Sequence, residues 1–302
     1  MGIKRVPKDI KTDKISQIKM KLLTSYITFQ IGRVFGWTAT KLGFGYKIYN
    51  TLMTWSADLD INNKLWTKSI SINGEEIDYT NLITHHAFIE KPELAWGLIG
   101  SLMNQFTSTT PHKGYFKLLD ILENKDYFIV TSNCDEHFQK AGFNENKILE
   151  CHGSIYDMQC LNIEEKEIWL TPKINITGKT VKTTSPPKCP DCGTNCRPNI
   201  LLFGDWFWLS TKAKHQQNRY NKWKKEAFLN YKNIIALEIG AGKTIPTIRK
   251  AAENFTKNKY PLIRVNPKDF DCNQNNHFPI PLKAETFLTQ LTPLKANKIQ
   301  SF

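Results

Sequence analysis

The sequence predicts an α/β fold: an open parallel sheet with helices on both faces, carrying a small metal-stapled insert and a helical module. Three observations predict it. Short apolar runs rich in Ile, Leu and Val recur, each bounded by turn formers, as strands buried on both faces of a parallel sheet require. Helix-like stretches alternate with those runs, and such alternation is the signature of an open sheet that binds ligands at the carboxyl ends of its strands. Between about residues 160 and 197 a segment rich in Pro, Thr and Lys breaks the rhythm and contains the pair Cys-Pro-Asp-Cys.

The apolar runs are DYFIV (126–130), NILLF (199–203), NIIALEIG (233–240) and PLIRVN (261–266), all expected in the parallel sheet. The helix-like stretches are PELAWGLIGSLMNQF, GYFKLLDILENK, WKKEAFLNYK and IPTIRKAAENFTKN. They carry apolar residues at helical spacing. A shorter apolar run, KILEC, precedes His152. The first 65 residues are the least legible part, and no internal repeat is present.

At 302 residues, 40% hydrophobic and 23% charged, the chain can bury a sizeable core and has the balance of a soluble protein. No apolar run approaches the roughly 20 residues that cross a bilayer. The nearest, LLTSYITFQIGRVFGW, is interrupted by Arg33, and no secretory-signal pattern is evident. The net charge of +13 is concentrated in the N-terminal lysines and in KAKHQQNRYNKWKK at 212–225, and is expected to be a solvated face, not a nucleic-acid site. Seven cysteines, an odd number, cluster at 151–196 with Cys134 and Cys272 outside. That pattern favours metal ligation in a reducing compartment, and so a cytoplasmic protein.

Three constellations carry chemistry. In TSNCDEHFQKAG, Asn133 and Asp135 follow the DYFIV strand, where an α/β sheet places its ligand. Asn can orient a hydroxyl or water and Asp can accept from an amide. His152, ahead of a glycine, can serve as a general base because its ordinary pKa lies near neutrality. An Asx-turn and a loop histidine are the structural alternative. In the insert, Cys189 and Cys192 form half of a zinc knuckle, with Cys160 as the first partner thiolate. Glu164 falls where a fourth ligand is needed; Cys196 or Cys151 is an alternative. In EIGAGKTIPTIRK the small residues Gly240, Ala241 and Gly242 before a helix suit close approach of a phosphate or ribose, and Asn266 can read a ribose hydroxyl or cap a turn.

Taken in order, TSNCDEHFQKAG, ILECHGS, the Cys160–Cys192 insert, RPNILLFGD, EIGAG and VNP resemble the sirtuins, NAD-dependent protein deacylases, over roughly residues 85–295. FIEKPELAWG, TPHKGY and FGDWFW resemble a bacterial-type branch. The resemblance implies a Rossmann-like NAD-binding domain from 25–159 and 198–295, with its helical module over about 40–110. It also implies a zinc-binding small domain over 160–197, beside a basic segment over 1–24 and a tail over 296–302. It implies an acyl-lysine protein or peptide substrate, NAD as cosubstrate and structural zinc, with no membrane partner. By the same resemblance His152 is the general base, Asn133 positions the nicotinamide ribose and a water, and Asp135 binds the carboxamide. Phe203, Gly204 and Asp205 form the strand edge on which the peptide pairs. Gly240, Ala241, Gly242 and Asn266 contact the dinucleotide, and Cys160, Cys189, Cys192 and Glu164 hold zinc.

The sequence also departs from that pattern. Sirtuins open with a strand and a GAGxS phosphate loop ending in a Pro-Asp-Phe-Arg run. Here LGFGYKIYNTLMTWSADLDINNKLW stands in its place. Counting back from Leu65 and Trp66, Asp58, Leu59 and Asp60 fall at its Asp, Phe and Arg, so attraction for phosphate becomes repulsion and cradling N–H groups are lost. Ser132 replaces a Gln, and Glu164 a zinc cysteine. Either the phosphate loop is rebuilt or the first 60 or so residues are a scrambled reading. The alternatives to deacylation are ADP-ribosyl transfer, NAD hydrolysis, or binding by a degenerate relative.

Overall fold

The computed structural model describes residues 45–50, 69–72 and 75–291, apart from 124, 163, 177–181, 231–233, 258 and 273–275. The expected Asp58, Leu59, Asp60, Leu65 and Trp66 lie outside the described residues, as do the segments 1–24 and 296–302.

Six strands form one fully parallel sheet: β1 (Gly45–Asn50), β4 (Asp126–Thr131), β5 (Ile148–Glu150), β9 (Ile234–Ile239), β10 (Leu262–Val265) and β11 (His277–Ile280), in the spatial order β11-β10-β9-β1-β4-β5. The chain leaves β1 toward β4 and β5 on one side and later returns to β9, β10 and β11 on the other. Strand β1 is therefore the topological switch point, beside which open α/β sheets form their ligand crevice. The register brings Asn50, Thr131, Glu150, Ile239 and Val265 level in one row at the carboxyl edge.

Phe128, Ile129 and Val130 of β4 are all buried but pack alternately into opposite layers, as a sheet covered on both faces demands. Phe128 and Val130 face one layer with Tyr220, Trp223 and Ala227 of α6 (Thr211–Asn230) and Ala252 and Phe255 of α7 (Thr247–Thr256). Ile129 faces the other layer, with Tyr115 and Leu118 of α4 (Lys113–Leu122), Phe138 of α5 (His137–Lys140) and Phe287 of α8 (Ala284–Gln290). Buried Gln216, Tyr220, Trp223 and Ala227 recur at helical spacing on α6. The basic run at 212–225 is thus the solvated face of a helix that starts twelve residues before WKKEAFLNYK.

A second lobe packs beside the sheet. A hairpin of β2 (Ser69–Ile72) and β3 (Glu75–Asp78) leads into α1 (Tyr79–Leu82), α2 (His85–Glu90) and α3 (Pro92–Ser108). Helix α3 starts on Pro92 with Glu93 in its first turn, a favourable start for geometry and macrodipole. Its wholly buried Trp96 donates from Nε1 to the Cys196 carbonyl at 2.7 Å. That bond ties the helices to an antiparallel sheet of order β7-β6-β8, built from β6 (Gly153–Cys160), β7 (Ile168–Leu170) and β8 (Cys196–Ile200).

One strand assignment is corrected here. NILLF does not join the parallel sheet: its first two residues end β8, paired antiparallel with β6. Ile200 and Leu202 are buried in the helical lobe's core, so the run's apolarity reflects that core. Among the described residues no helix is long and apolar enough to cross a membrane.

Candidate functional site

Asn133, His152, Gly240 and Asn266 each lie one or two residues beyond the row of strand ends. The sheet thus brings them to one edge by its register alone. At the end of β4, Thr131 Oγ1 accepts from the Asn133 amide at 3.0 Å, and the Thr131 carbonyl accepts from Cys151 N–H at 2.8 Å. One threonine therefore anchors both the Asn133 loop and the chain entering His152. Asn133 is 4% exposed, and among the described residues neither its side-chain oxygen nor its nitrogen has a hydrogen-bond partner. A buried amide left unpaired costs about 1–3 kcal/mol, and the polar group of a ligand is the partner that removes this cost. The residue therefore fits a ligand that presents both a donor and an acceptor.

Asp135 is buried, and its Oδ1 accepts the His137 amide at 3.0 Å, an Asx turn leading into α5. Glu136 adopts the left-handed region (φ 56°), uncommon for a residue with a side chain, and accepts from Ser154 Oγ at 2.8 Å. That bond pins the Asp135 loop to the first turn of β6, immediately after His152.

His152 is partly buried, and burial alone holds its imidazole below the ordinary histidine value. It is therefore neutral near pH 7 and able to take a proton. The next residue, Gly153, has φ 79°, and a Cβ there would meet the Asn199 carbonyl at 2.0 Å. Glycine is thus required for His152 to turn over the sheet edge while β6 closes against β8. Burial, reinforced by nearby Asp135 and Glu150, pushes the Cys134 thiol up to about 12, and burial does the same at Cys151. Neither thiol is a nucleophile at neutral pH.

The Gly240–Gly242 loop makes a tight turn on the way from β9 to α7. Gly240 takes φ 71° and donates to the Val265 carbonyl at 2.8 Å, tying the ends of β9 and β10 together. Ala241 is wholly buried, and Gly242 is half-buried. Asn266 braces the loop, as the capping alternative expected. Its Nδ2 donates to the Ala241 carbonyl at 3.1 Å, while its Oδ1 accepts the Lys268 and Asp269 amides at 2.9 Å each.

The expected peptide edge is not a strand. Phe203 and Gly204 form a turn, with Gly204 at φ 62°, and Phe203 is 48% exposed. Asp205 is buried inside that turn, accepting from Arg197 at 2.9 and 2.5 Å and from the Leu202 and Phe207 amides. Burial works to raise Asp205, but the hydrogen bonds and charge of Arg197 hold its carboxyl below the ordinary value. The loop is joined to the site through the Leu201 amide, which donates to the His152 carbonyl at 2.9 Å.

Cys160, Cys189 and Cys192 converge, with their sulfurs within 4.8 Å of one another. Glu164 is not in that group: it is exposed, and its amide bonds the Asn162 side chain. Cys196 and Cys151 are not in it either.

Sequence reasoning missed a buried junction behind the site. Glu150, level with Thr131, accepts from Gln139 Nε2 at 2.9 Å and from Gln216 Nε2 at 3.1 Å, while its own amide donates to Gln216 Oε1 at 2.8 Å. It couples α5, β5 and α6. The one available signal was an acidic residue ending an apolar run, too common to single out.

A family model described as Sir2 family matches residues 62–231, more than half of the chain, and the protein belongs to that family. Among curated relatives, the NAD-dependent protein deacylase of Aquifex aeolicus is 30% identical over 127 residues, 41% of this chain and 48% of its own. That of Leptospira interrogans serovar Lai is 29% identical over 126 residues, with the same shares. The chain thus spans about half the length of the curated relatives it matches. A Sir2 homolog–NAD complex superposes with a TM-score of 0.56 at 16% identity, over 83% of this chain and 88% of the other. Sir2 bound to acetylated peptide gives 0.53 at 16%, over 82% and 91%. Both likenesses show the fold.

Proposed function

We propose that this chain is an NAD-dependent protein lysine deacylase of sirtuin type. The observation that carries the reading is the buried side-chain amide of Asn133, without a hydrogen-bond partner among the described residues, on the same sheet edge as His152, whose imidazole burial holds below its ordinary value, in a Sir2-family fold. Bound NAD supplies an activated ribose carbon, with nicotinamide as leaving group and ADP-ribose as acyl acceptor. Asn133 offers the donor and acceptor that orient a ribose hydroxyl and a water. Asp135, in the turn leading into α5, presents a carboxylate to the carboxamide. His152 takes a hydroxyl proton on a ring nitrogen, and burial of the edge excludes bulk water. The turn at Phe203–Gly204 flanks the acyl-lysine, with its backbone fixed by Asp205. Thiolates of Cys160, Cys189 and Cys192 would hold zinc.

The test is nicotinamide release from NAD with a panel of acyl-lysine peptides. Release that depends on peptide, with deacylated peptide as coproduct, is expected, and His152→Ala should lower it by at least about 100-fold, the lower range for loss of a general base. Full activity in that variant would remove His152 from its role. Free ADP-ribose or ADP-ribosylated protein without deacylated peptide would replace acyl transfer with the transferase or hydrolase reading. No binding at millimolar NAD by calorimetry would leave a binding protein.

A further inference from the structure

The three-thiol group has a composition that restricts its chemistry. Structural zinc sites are closed, with four protein ligands, whereas three protein ligands leave a position for an outside molecule. All seven cysteines and all seven histidines of the chain lie among the described residues, and only Cys160, Cys189 and Cys192 gather. No described carboxylate joins them. Cys196 pairs across the β6–β8 ladder with Cys160 and shares a core cluster with Cys160 and Cys189, but its sulfur is not among those that lie within 4.8 Å of one another; its carbonyl accepts from Trp96 Nε1 and its amide donates to the Pro187 carbonyl.

The group is nevertheless built for sulfur anions. The Asn162 amide donates to Cys160 Sγ at 3.3 Å, a contact that favours thiolate over thiol. Gly193 at φ 71° turns the chain back after Cys192 and donates to the Cys189 carbonyl at 3.0 Å, while Cys189 N–H donates to the Thr194 carbonyl at 2.7 Å. This tight turn holds two of the sulfurs. Cys160 and Cys192 Sγ lie 3.5 Å apart. Cys160 and Cys189 are buried and Cys192 is exposed, so one side of the group faces solvent.

We propose that Cys160, Cys189 and Cys192 form an open three-thiolate site for a soft divalent cation of the zinc type. The fourth position takes an exogenous ligand: a small thiol where one is present, and water otherwise. Binding releases three thiol protons to solvent and leaves a centre of net charge −1; an added thiol loses its own proton and brings the charge to −2. The ion here is consequently a point of contact with solution chemistry, and exchanges more readily than one enclosed by four protein ligands.

The experiment uses the full chain loaded with Co(II), whose visible and near-ultraviolet bands report ligand number and type independently of any reaction with NAD. One cobalt per chain is expected, with sulfur-to-cobalt charge-transfer bands that intensify, and visible bands that shift, on addition of 2-mercaptoethanol. Cys192→Ser, at an exposed position, should abolish the bands; Cys196→Ala and Cys196→Ser should keep both the bands and the thiol response. Circular dichroism confirms that each variant is folded. Bands indifferent to thiol and lost in both folded Cys196 variants would make the site a closed four-thiolate one. A shift without thiol in Glu164→Gln, Glu165→Gln or Asp191→Asn would give the fourth place to a protein carboxylate. Absence of cobalt bands in the folded wild-type chain would remove the site altogether.

Discussion

Replacing Asp205 by alanine strands a charge. Arg197 is 0% exposed, and Asp205 holds it through two hydrogen bonds of 2.9 and 2.5 Å. Without the carboxylate, the guanidinium keeps the Ile200 carbonyl at 2.7 Å and the rim of His85, which lies 3.3 Å away and cannot supply a negative charge. Removing one partner of a buried pair costs about 3–5 kcal/mol, mostly the desolvation of the charge left behind. The exposed Phe207 amide also loses an acceptor, which water replaces, whereas the Leu202 amide belongs to a buried residue and its lost acceptor adds to the cost. The expected loss is therefore about 4 kcal/mol, a large share of the ~5–15 kcal/mol typical of a folded domain. Urea unfolding followed by tryptophan fluorescence measures it. Arg197→Met combined with Asp205→Ala should be more stable than Asp205→Ala alone, because no unpaired charge remains. A loss under about 1 kcal/mol, the level of a solvated pair, would refute the reasoning.

Two further perturbations follow from the same site. Burial holds Glu150 up at about 7, against Gln139 and Gln216, which favour the carboxylate; Glu136 adds to the rise and Lys212 opposes it. The folded state thus favours the neutral acid, so this group's stabilisation is complete below about pH 4.5 and is lost as pH rises through about 7. Across that window wild type should lose about 3 kcal/mol relative to Glu150→Gln, and urea titrations at stepped pH would show no such divergence if the carboxyl ionised normally. Gly153→Ala places a methyl 2.0 Å from the Asn199 carbonyl at φ 79°. It should cost more than the ~1–2 kcal/mol of a left-handed residue alone, and an unchanged melting temperature would mean that the β6–β8 approach is loose.

The parts of the fold that were legible in the sequence share one physical property. Strands β4, β9 and β10 are buried on both faces, so their burial wrote continuous Ile, Leu and Val runs. Strand β1, with Lys47 and Asn50 in GYKIYN, lacks that signal although it lies at the centre of the sheet. NILLF was misplaced because apolarity reports burial without naming the neighbour: the same residues serve an antiparallel strand and a helical core. The site divides in the same way. The placement of Asn133, Asp135 and His152 at the sheet edge was legible because they follow strand ends in short windows. The Glu150–Gln216 contact joins residues 66 apart and exists only after α6 docks on β5. The resemblance placed Asp205 on a substrate edge, and sequence proximity alone did not reveal its pairing with Arg197, eight residues away, which the fold buries.

The position of β1 also separates two questions that the sequence had fused. Asn50 ends level with Thr131 on one side and Ile239 on the other, so one strand stands between the Asn133 loop and the Gly240 loop. Strands lie about 4.8 Å apart, which makes the span between those loops about 10 Å, a distance that a dinucleotide must cross over the end of β1. The residues that replace the phosphate loop follow that strand end, and they lie outside the described residues. On the proposed reading, the orienting amide and the base belong to the ends of β4 and β5, where Thr131, Glu136 and Glu150 make the hydrogen bonds that hold the chain among the described residues. If the proposed function holds, loss of phosphate-cradling groups is expected to act on NAD affinity, and loss of His152 on turnover at saturating NAD. A weak but saturable enzyme would locate its deficit after Asn50, and a tight but inert one would locate it at the Asn133–His152 edge.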